Sequence, residues 1–210
     1  MDRSVGSVLA LLKELGIDDN TIVFFSSDNG PANTDGADPD FFQAAGPFRG
    51  YKKDLYEGGI RVPMIVRWPG KVAAGKTSDR VWAFWDFLPT AAELAGVKMT
   101  ATIDGRSILP TLLGLKNMEQ VNPPQEFLYW EHPRPTGLAQ AVRMGNWKAI
   151  RARSDAPLEL YDLRNDPGET KNLATAQPEI STQITTYLKT ARTEPRPQKG
   201  TRNADGRSFR

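Results

Sequence analysis

The residues Asp28 and Asn29 stand side by side in Ser26-Ser27-Asp28-Asn29-Gly30, directly after the apolar run Thr21-Ile22-Val23-Phe24-Phe25. One supplies a carboxylate and the other an amide oxygen, both hard donors of the kind that Ca²⁺ and Mg²⁺ accept. Gly30 removes side-chain bulk where the backbone must swing away from the strand. Asp-Asn-Gly is also an ordinary turn tripeptide, so these three residues alone favour a bland turn over an ion site.

The elements around this pair set its position. Val5, Val8, Leu12 and Leu15 recur at helical spacing and Gly16 stands where a C-terminal cap belongs, which predicts a helix over 4–15. The unbroken apolar character of 21–25 predicts a parallel strand covered on both faces. Ligands gather just beyond the carboxyl ends of such strands, where Asp28 and Asn29 lie. Residues 30–46 read as a long loop. A second strand is expected at Met64–Trp68, and Asp86 is expected to cap a helix that carries Leu88, Ala91, Ala92 and Ala95 on one face and ends at Gly96.

Past a polar connector at about 114–124 the pattern changes. Short strands are predicted at 126–130, 138–144, 147–152 and 158–161, with Gly145-Asn146 as a two-residue hairpin turn between the second and third. Such tight connections make antiparallel pairs. A last helix begins at Pro178, and its stripe of Ile180, Ile184, Tyr187, Leu188 and Ala191 is expected to cover one face of that sheet. Trp130, Trp147 and Tyr161 read as core aromatics. The fold class is therefore α/β, with an α/β portion over 1–115, a small antiparallel-sheet subdomain over 125–192 that includes the terminal helix, and a disordered basic tail over 193–210.

Composition removes several classes of function. With 39% hydrophobic and 25% charged residues the chain is of ordinary globular type, and no apolar stretch approaches the roughly 20 residues of a membrane crossing. The absence of Cys excludes a disulfide framework, a thiolate metal site and a cysteine nucleophile within these residues. The net charge of +2 is uneven, because the tail holds five Lys/Arg against Glu194 and Asp205. Lacking aromatics spaced for base stacking, that tail reads as solvated chain, and neither a nucleic-acid nor a membrane partner is expected. Oligomeric state has no readable signal.

A second stretch, Phe48-Arg49-Gly50-Tyr51-Lys52-Lys53, followed by Glu57-Gly58-Gly59, Arg61, Pro63 and Trp68-Pro69-Gly70, combines with Asp28-Asn29-Gly30 into a pattern that resembles the sulfatase family of the alkaline-phosphatase-like superfamily. The segments DFLPTAAELAG, DGRSILPTLLG, AVRMGNWKAI and ELYDLRNDPGETKNLA continue the resemblance in order over about 1–190. It implies that the α/β portion is the C-terminal part of an alkaline-phosphatase-like sheet domain, that Asp28 and Asn29 are late metal ligands for Ca²⁺ (Mg²⁺ as the alternative), and that Lys52, rather than its neighbour Lys53, contacts the sulfate and the leaving oxygen. Glu57, Gly58, Gly59 and Arg61 are expected to be architecture, with Glu57 and Arg61 pairing to pin the loop.

His132, the only histidine, lies in Tyr129-Trp130-Glu131-His132-Pro133-Arg134. The resemblance makes it a candidate to line a substrate pocket, together with Glu131 or Arg134. The implied substrate is a sulfated small molecule or glycan, and the implied nucleophile a formylglycine for which this sequence has no Cys-x-Pro-x-Arg or Ser-x-Pro-x-Arg motif. The expectation is a C-terminal fragment of a sulfatase, inactive by itself, whose parent is periplasmic or secreted and whose Met1 is an internal methionine or misplaced start. A phosphate or phosphonate ester hydrolase, and a non-catalytic binding module that kept the fold, are the alternatives.

Overall fold

The first helix, α1 (Asp2–Glu14), stops where its sequence says it should. Gly16 adopts φ +67°, its N–H donates to the Lys13 carbonyl at 3.0 Å, and the Ile17 N–H donates to the Leu12 carbonyl at 3.1 Å. This is the paired closure that satisfies orphan carbonyls at a helix end. The computed structural model describes residues 1–34, 36, 38–115 and 125–193; all but the first two residues of the connector expected at about 114–124, and all but the first residue of the expected tail, lie outside them.

After a short 3₁₀ turn, Asp18–Asn20, the chain enters β1 (Val23–Ser26), which pairs with β2 (Met64–Arg67) in the register Val23 with Arg67 through Ser26 with Met64. Arg67 grips the Asp18 carboxylate with two hydrogen bonds of 2.6 and 2.8 Å, which locks the far end of the ribbon. The pairing is antiparallel, so the parallel strand predicted over 21–25 is corrected. An apolar run reports what covers a strand, whereas direction is set by how the chain returns. Coverage is also partial: β1 is half-buried and Ile65 of β2 is 61% exposed.

Between these strands lies α2 (Glu57–Ile60), a single helical turn whose first three residues are buried. Beyond β2, a 3₁₀ turn (Phe84–Asp86) leads into α3 (Phe87–Leu94), and α4 (Leu109–Leu112) follows. Asp86 does not cap α3 with its side chain, contrary to expectation. It is itself helical, and its carboxylate accepts from the Ala83 N–H at 2.9 Å and the Arg106 N–H at 2.8 Å. Thr90, fully buried, donates to the Asp86 carbonyl and accepts from the Ile108 N–H. The carboxylate thus ties the segment before α4 to the base of α3.

The second part is a four-stranded antiparallel meander in the order β3 (Leu128–Arg134), β4 (Gly137–Met144), β5 (Trp147–Arg151), β6 (Glu159–Asp162). Met144 pairs with Trp147, so Gly145-Asn146 is the two-residue turn the sequence predicts, with Gly145 at φ +57°. Alternation sorts the sheet into two faces. Val142, Ala149 and Leu160 face α5 (Pro178–Leu188) and pack on Ile184 and Leu188, with Ile180 and Tyr187 beside them. Ala141, Ile150 and Tyr161 face the other way, onto Leu55, Tyr56 and Ile60. The small sheet is therefore covered on one side by its own helix and on the other by the loop between β1 and β2.

The two parts differ in how much they bury. No residue of α1 is buried, and Val8 is 56% exposed, whereas Ile184 is fully enclosed. Ile184→Ala should cost about 2–5 kcal/mol in a denaturant titration, while Val8→Ser should stay within about 0.5 kcal/mol; equal effects would mean that the core is not where the sheet and α5 meet.

Candidate functional site

Gly30, immediately after Asp28-Asn29, is buried against the backbone of α2. A Cβ built on it would sit 1.8 Å from the Gly58 carbonyl oxygen, and its N–H donates to the Gly59 carbonyl at 3.0 Å. Gly58 meets the same restriction, with the carbonyl oxygens of Gly50 and Arg49 at 2.3 and 2.6 Å from its would-be Cβ, and so does Gly59, with that of Asp54 at 2.2 Å. Three backbone segments are thus stacked at a spacing that only hydrogen at Cα permits. The glycine behind the Asp-Asn pair serves close approach rather than a positive φ.

The same contact brings the lysine turn alongside. The Lys52 N–H donates to the Pro31 carbonyl at 2.9 Å, two residues past Asn29. Tyr51–Asp54 is a four-residue turn closed by the Asp54 N–H on the Tyr51 carbonyl at 2.8 Å, and Lys53 adopts φ +79°. Lys52 and Lys53 are its central residues, and the positive φ at the second is that of a type II turn, a conformation a lysine holds only under constraint. The Lys53 carbonyl is taken by Arg134 Nη2 at 2.9 Å, and the same nitrogen lies 3.3 Å from Asp54 Oδ1. Lys52 therefore stands, exposed, at the tip of a turn held from below by Pro31 and from the side by Arg134.

At the Asp-Asn pair, Ser27 Oγ donates to the Asn29 carbonyl at 2.8 Å and Asn29 Nδ2 donates to the Gly30 carbonyl at 2.9 Å. That commits the amide nitrogen to the backbone and reserves Oδ1, the atom a hard cation would take. Asp28 is exposed. Among the described residues no group of three or more His, Asp or Glu could hold a metal ion by itself. The donor set fits Ca²⁺ in kind but supplies two oxygens, where Ca²⁺ takes six to eight or so.

His132 lies within β3, paired with Ala139, rather than at the end of a strand finishing near 130 as expected, because β3 continues to Arg134. Residues two apart share a face, so Trp130, His132 and Arg134 point to one side. Trp130 packs on the cluster containing Leu55, and Arg134 reaches Lys53. His132 is thereby on the sheet face that looks toward the lysine turn.

Sequence reasoning overlooked two residues here. Glu57 does pair with Arg61 at 3.6 Å, as expected, but its closest cation is Lys148 Nζ at 2.9 Å, and its N–H donates to Glu169 Oε2 at 2.6 Å. Lys148 and Glu169 are both fully buried. The available signal was alternation along Trp147-Lys148-Ala149-Ile150, which puts Lys148 on the same inward face as Ile150. Burial pushes the Glu169 carboxyl up from its ordinary range, against the opposing pull of Lys148 and the Glu57 N–H. Nearby, Glu159 Oε2 accepts from both Tyr56 and Tyr161 hydroxyls, at 2.7 and 2.6 Å, and burial with this bond pushes the Tyr161 phenol up to about 12.

Similarity to known proteins supplies a family. The Sulfatase family model matches residues 1–97. N-acetylgalactosamine-6-sulfatase of Mus musculus is 43% identical over 122 residues, covering 57% of this chain and 23% of its own. N-acetylgalactosamine-6-O-sulfatase of Bacteroides thetaiotaomicron is 30% identical over 210 residues, with 92% of this chain and 40% of its own covered. This chain belongs to the sulfatase family. Among solved structures, that of Ps i-CgsB in complex with k-i-k-neocarrahexaose superposes with a TM-score of 0.76 at 30% identity, over 90% of this chain and 40% of that one. The fold is the C-terminal part of an alkaline-phosphatase-like domain. The chain spans no more than about two fifths of these relatives' own length.

Two outcomes follow from the site as a sulfatase element. Gly30→Ala should cost at least about 3 kcal/mol, while Gly6→Ala, with nothing near its Cβ, should stabilise α1 by about 0.5–1 kcal/mol; chemical denaturation of the pair checks the backbone stacking. The phenol of Tyr161 is neutral in the folded state to a higher pH than in the unfolded chain. Its contribution is thus complete below about pH 10 and lost as pH rises toward about 12. Alkaline unfolding followed by tyrosinate absorbance should show this loss, and Tyr161→Phe should remove part of it.

Proposed function

We propose that this chain contributes the late metal ligands and the anion-binding lysine of an enzyme that hydrolyses sulfate esters borne on a glycan. The single observation that carries the reading is the hydrogen bond from the Lys52 N–H to the Pro31 carbonyl. It lays the lysine turn against the backbone that emerges from Asp28-Asn29. The relatives named N-acetylgalactosamine-6-sulfatase and N-acetylgalactosamine-6-O-sulfatase, and the k-i-k-neocarrahexaose bound in the solved neighbour, support a sulfated sugar as substrate.

In this reading the Asp28 carboxylate and Asn29 Oδ1 hold one side of a divalent cation. When bound, that ion neutralises sulfate oxygens at a fixed centre. Lys52 donates N–H bonds to the sulfate and to the departing oxygen, so charge that develops as the S–O bond breaks meets a preset cation. The rigid turn supplies orientation without reorganisation at the moment of reaction. His132 and Arg134, on the sheet face toward Lys52, line the sugar side. We assign no nucleophile to this chain; a formylglycine and further acidic ligands belong to the length of the relatives that it does not span. Phosphate or phosphonate transfer would use the same donors, and the sulfatase relatives favour sulfate.

Sulfate release from sulfated N-acetylgalactosamine by the full-length protein tests this reading. Lys52→Ala should lower kcat/KM by about 10²- to 10³-fold, and Lys53→Ala by no more than about threefold. Asp28→Ala should weaken Ca²⁺ binding in calorimetry as well as turnover. Loss of activity in the Lys53 variant with retention in the Lys52 variant would reverse the assignment, and the 210-residue chain alone is expected to release none.

A further inference from the structure

A lysine with no exposed surface lies beside two carboxylates that come from separate stretches of the chain. Lys148 Nζ, on β5, is 2.9 Å from Glu57 Oε1 at the start of α2 and 3.5 Å from Glu169 Oε1, which follows β6. Arg143 and Arg61 approach the second Glu57 oxygen at 3.7 and 3.6 Å, contacts that are ionic and too long to be hydrogen bonds. Glu169 also grips the loop twice. Its carbonyl accepts from Arg49 Nη1 at 3.0 Å, and its carboxylate accepts from the Glu57 N–H at 2.6 Å. Arg49 and Glu57 are the two ends of the segment whose middle is the Lys52 turn.

Glu169 also holds φ +53°, in the left-handed region that a glutamate enters at a cost. Such a conformation persists where the surroundings over-determine it, and it clusters at sites where placement matters. A buried ion group is a poor source of stability, since apolar residues of the same shape commonly do as well or better. What a buried ion group does supply is directional register. Segment 49–57 has no strand and no long helix to supply register of its own.

We propose that Glu169, Lys148 and Glu57 form a positioning clamp by which the small antiparallel sheet sets the location of the Lys52 turn relative to Asp28 and Asn29. This rests on the proposed role of Lys52. The three residues touch no substrate; they act through the loop. Glu169 fixes both ends of the segment, and Lys148, set between the two carboxylates, offsets part of the cost of burying them. The alternation that places Lys148 inward and the strained backbone at Glu169 then have one purpose.

The test uses the full-length protein and two readouts. In amide hydrogen exchange, Glu169→Ala should speed exchange of segment 49–60 by about tenfold or more. Leu160→Ala, on the opposite sheet face and destabilising through its cavity, should leave that segment unchanged relative to the rest of the sheet. Glu169→Gln keeps an oxygen for the Glu57 N–H and should restore most of the protection. In sulfate release, Glu169→Ala should lower kcat by about 10²-fold, as expected for misplacement of about an ångström, with KM little changed and Glu169→Gln intermediate. Exchange at 49–60 in Glu169→Ala no faster than in Leu160→Ala, or no rescue by Gln, would overturn the clamp. If Glu169→Ala does not fold, Lys148→Met takes its place with the same expected exchange. If the wild-type protein releases no sulfate, the sulfatase role fails, and the exchange comparison still decides the clamp.

Discussion

The structure depends on keeping a lysine ammonium completely out of water. Lys148 has no exposed surface and two carboxylates, Glu57 and Glu169, within 3.5 Å. Such a cation is tolerable only with opposite charge at close range. That requirement draws together three separate places in the chain: the start of α2, the second residue of β5 and the loop after β6. The sheet cannot bury Lys148 without the loop, and the apolar packing of Leu55, Tyr56 and Ile60 holds the loop on the same face.

Backbone closeness does the rest. Gly30, Gly58 and Gly59 allow carbonyls to approach where any Cβ would collide. The turn after Asp28-Asn29, the lysine turn and α2 are therefore stacked main chain on main chain, with little side-chain freedom between them. A site assembled this way is stiff, and stiffness is what a pre-placed cation and ammonium need to act on developing charge. The cation-π contact of Arg49 over Tyr56 at 3.8 Å, and the shared acceptor Glu159 beneath both tyrosines, continue the same tight layer toward the sheet.

The two faces of the small sheet thereby have different uses. One is closed by α5 through Ile184 and Leu188, an apolar contact that stabilises without directing anything. The other mixes apolar contacts with Lys148, Tyr161 and Arg134, and it is the face that looks at the candidate site. In the α/β portion, by contrast, α1 and β2 present apolar side chains such as Val8, Leu11 and Ile65 at half exposure or more. Support for the site comes from the sheet, not from the first helix.

Much of this was legible in the residues. The spacing of Val5 to Leu15 with Gly16 after it determines α1 and its end, because helix period and a left-handed glycine are local physics. Gly145-Asn146 determines the β4–β5 turn for the same reason, and Asp28-Asn29-Gly30 with Lys52 and Glu57-Gly58-Gly59 determines the family. Direction of β1, the true employment of Asp86, the length of β3 around His132 and the meeting of Lys148 with Glu57 and Glu169 were decided only by the tertiary structure. Each depends on which distant group arrives to share a hydrogen bond or a buried charge, and a chain read residue by residue carries the capacity for such a contact but not its partner.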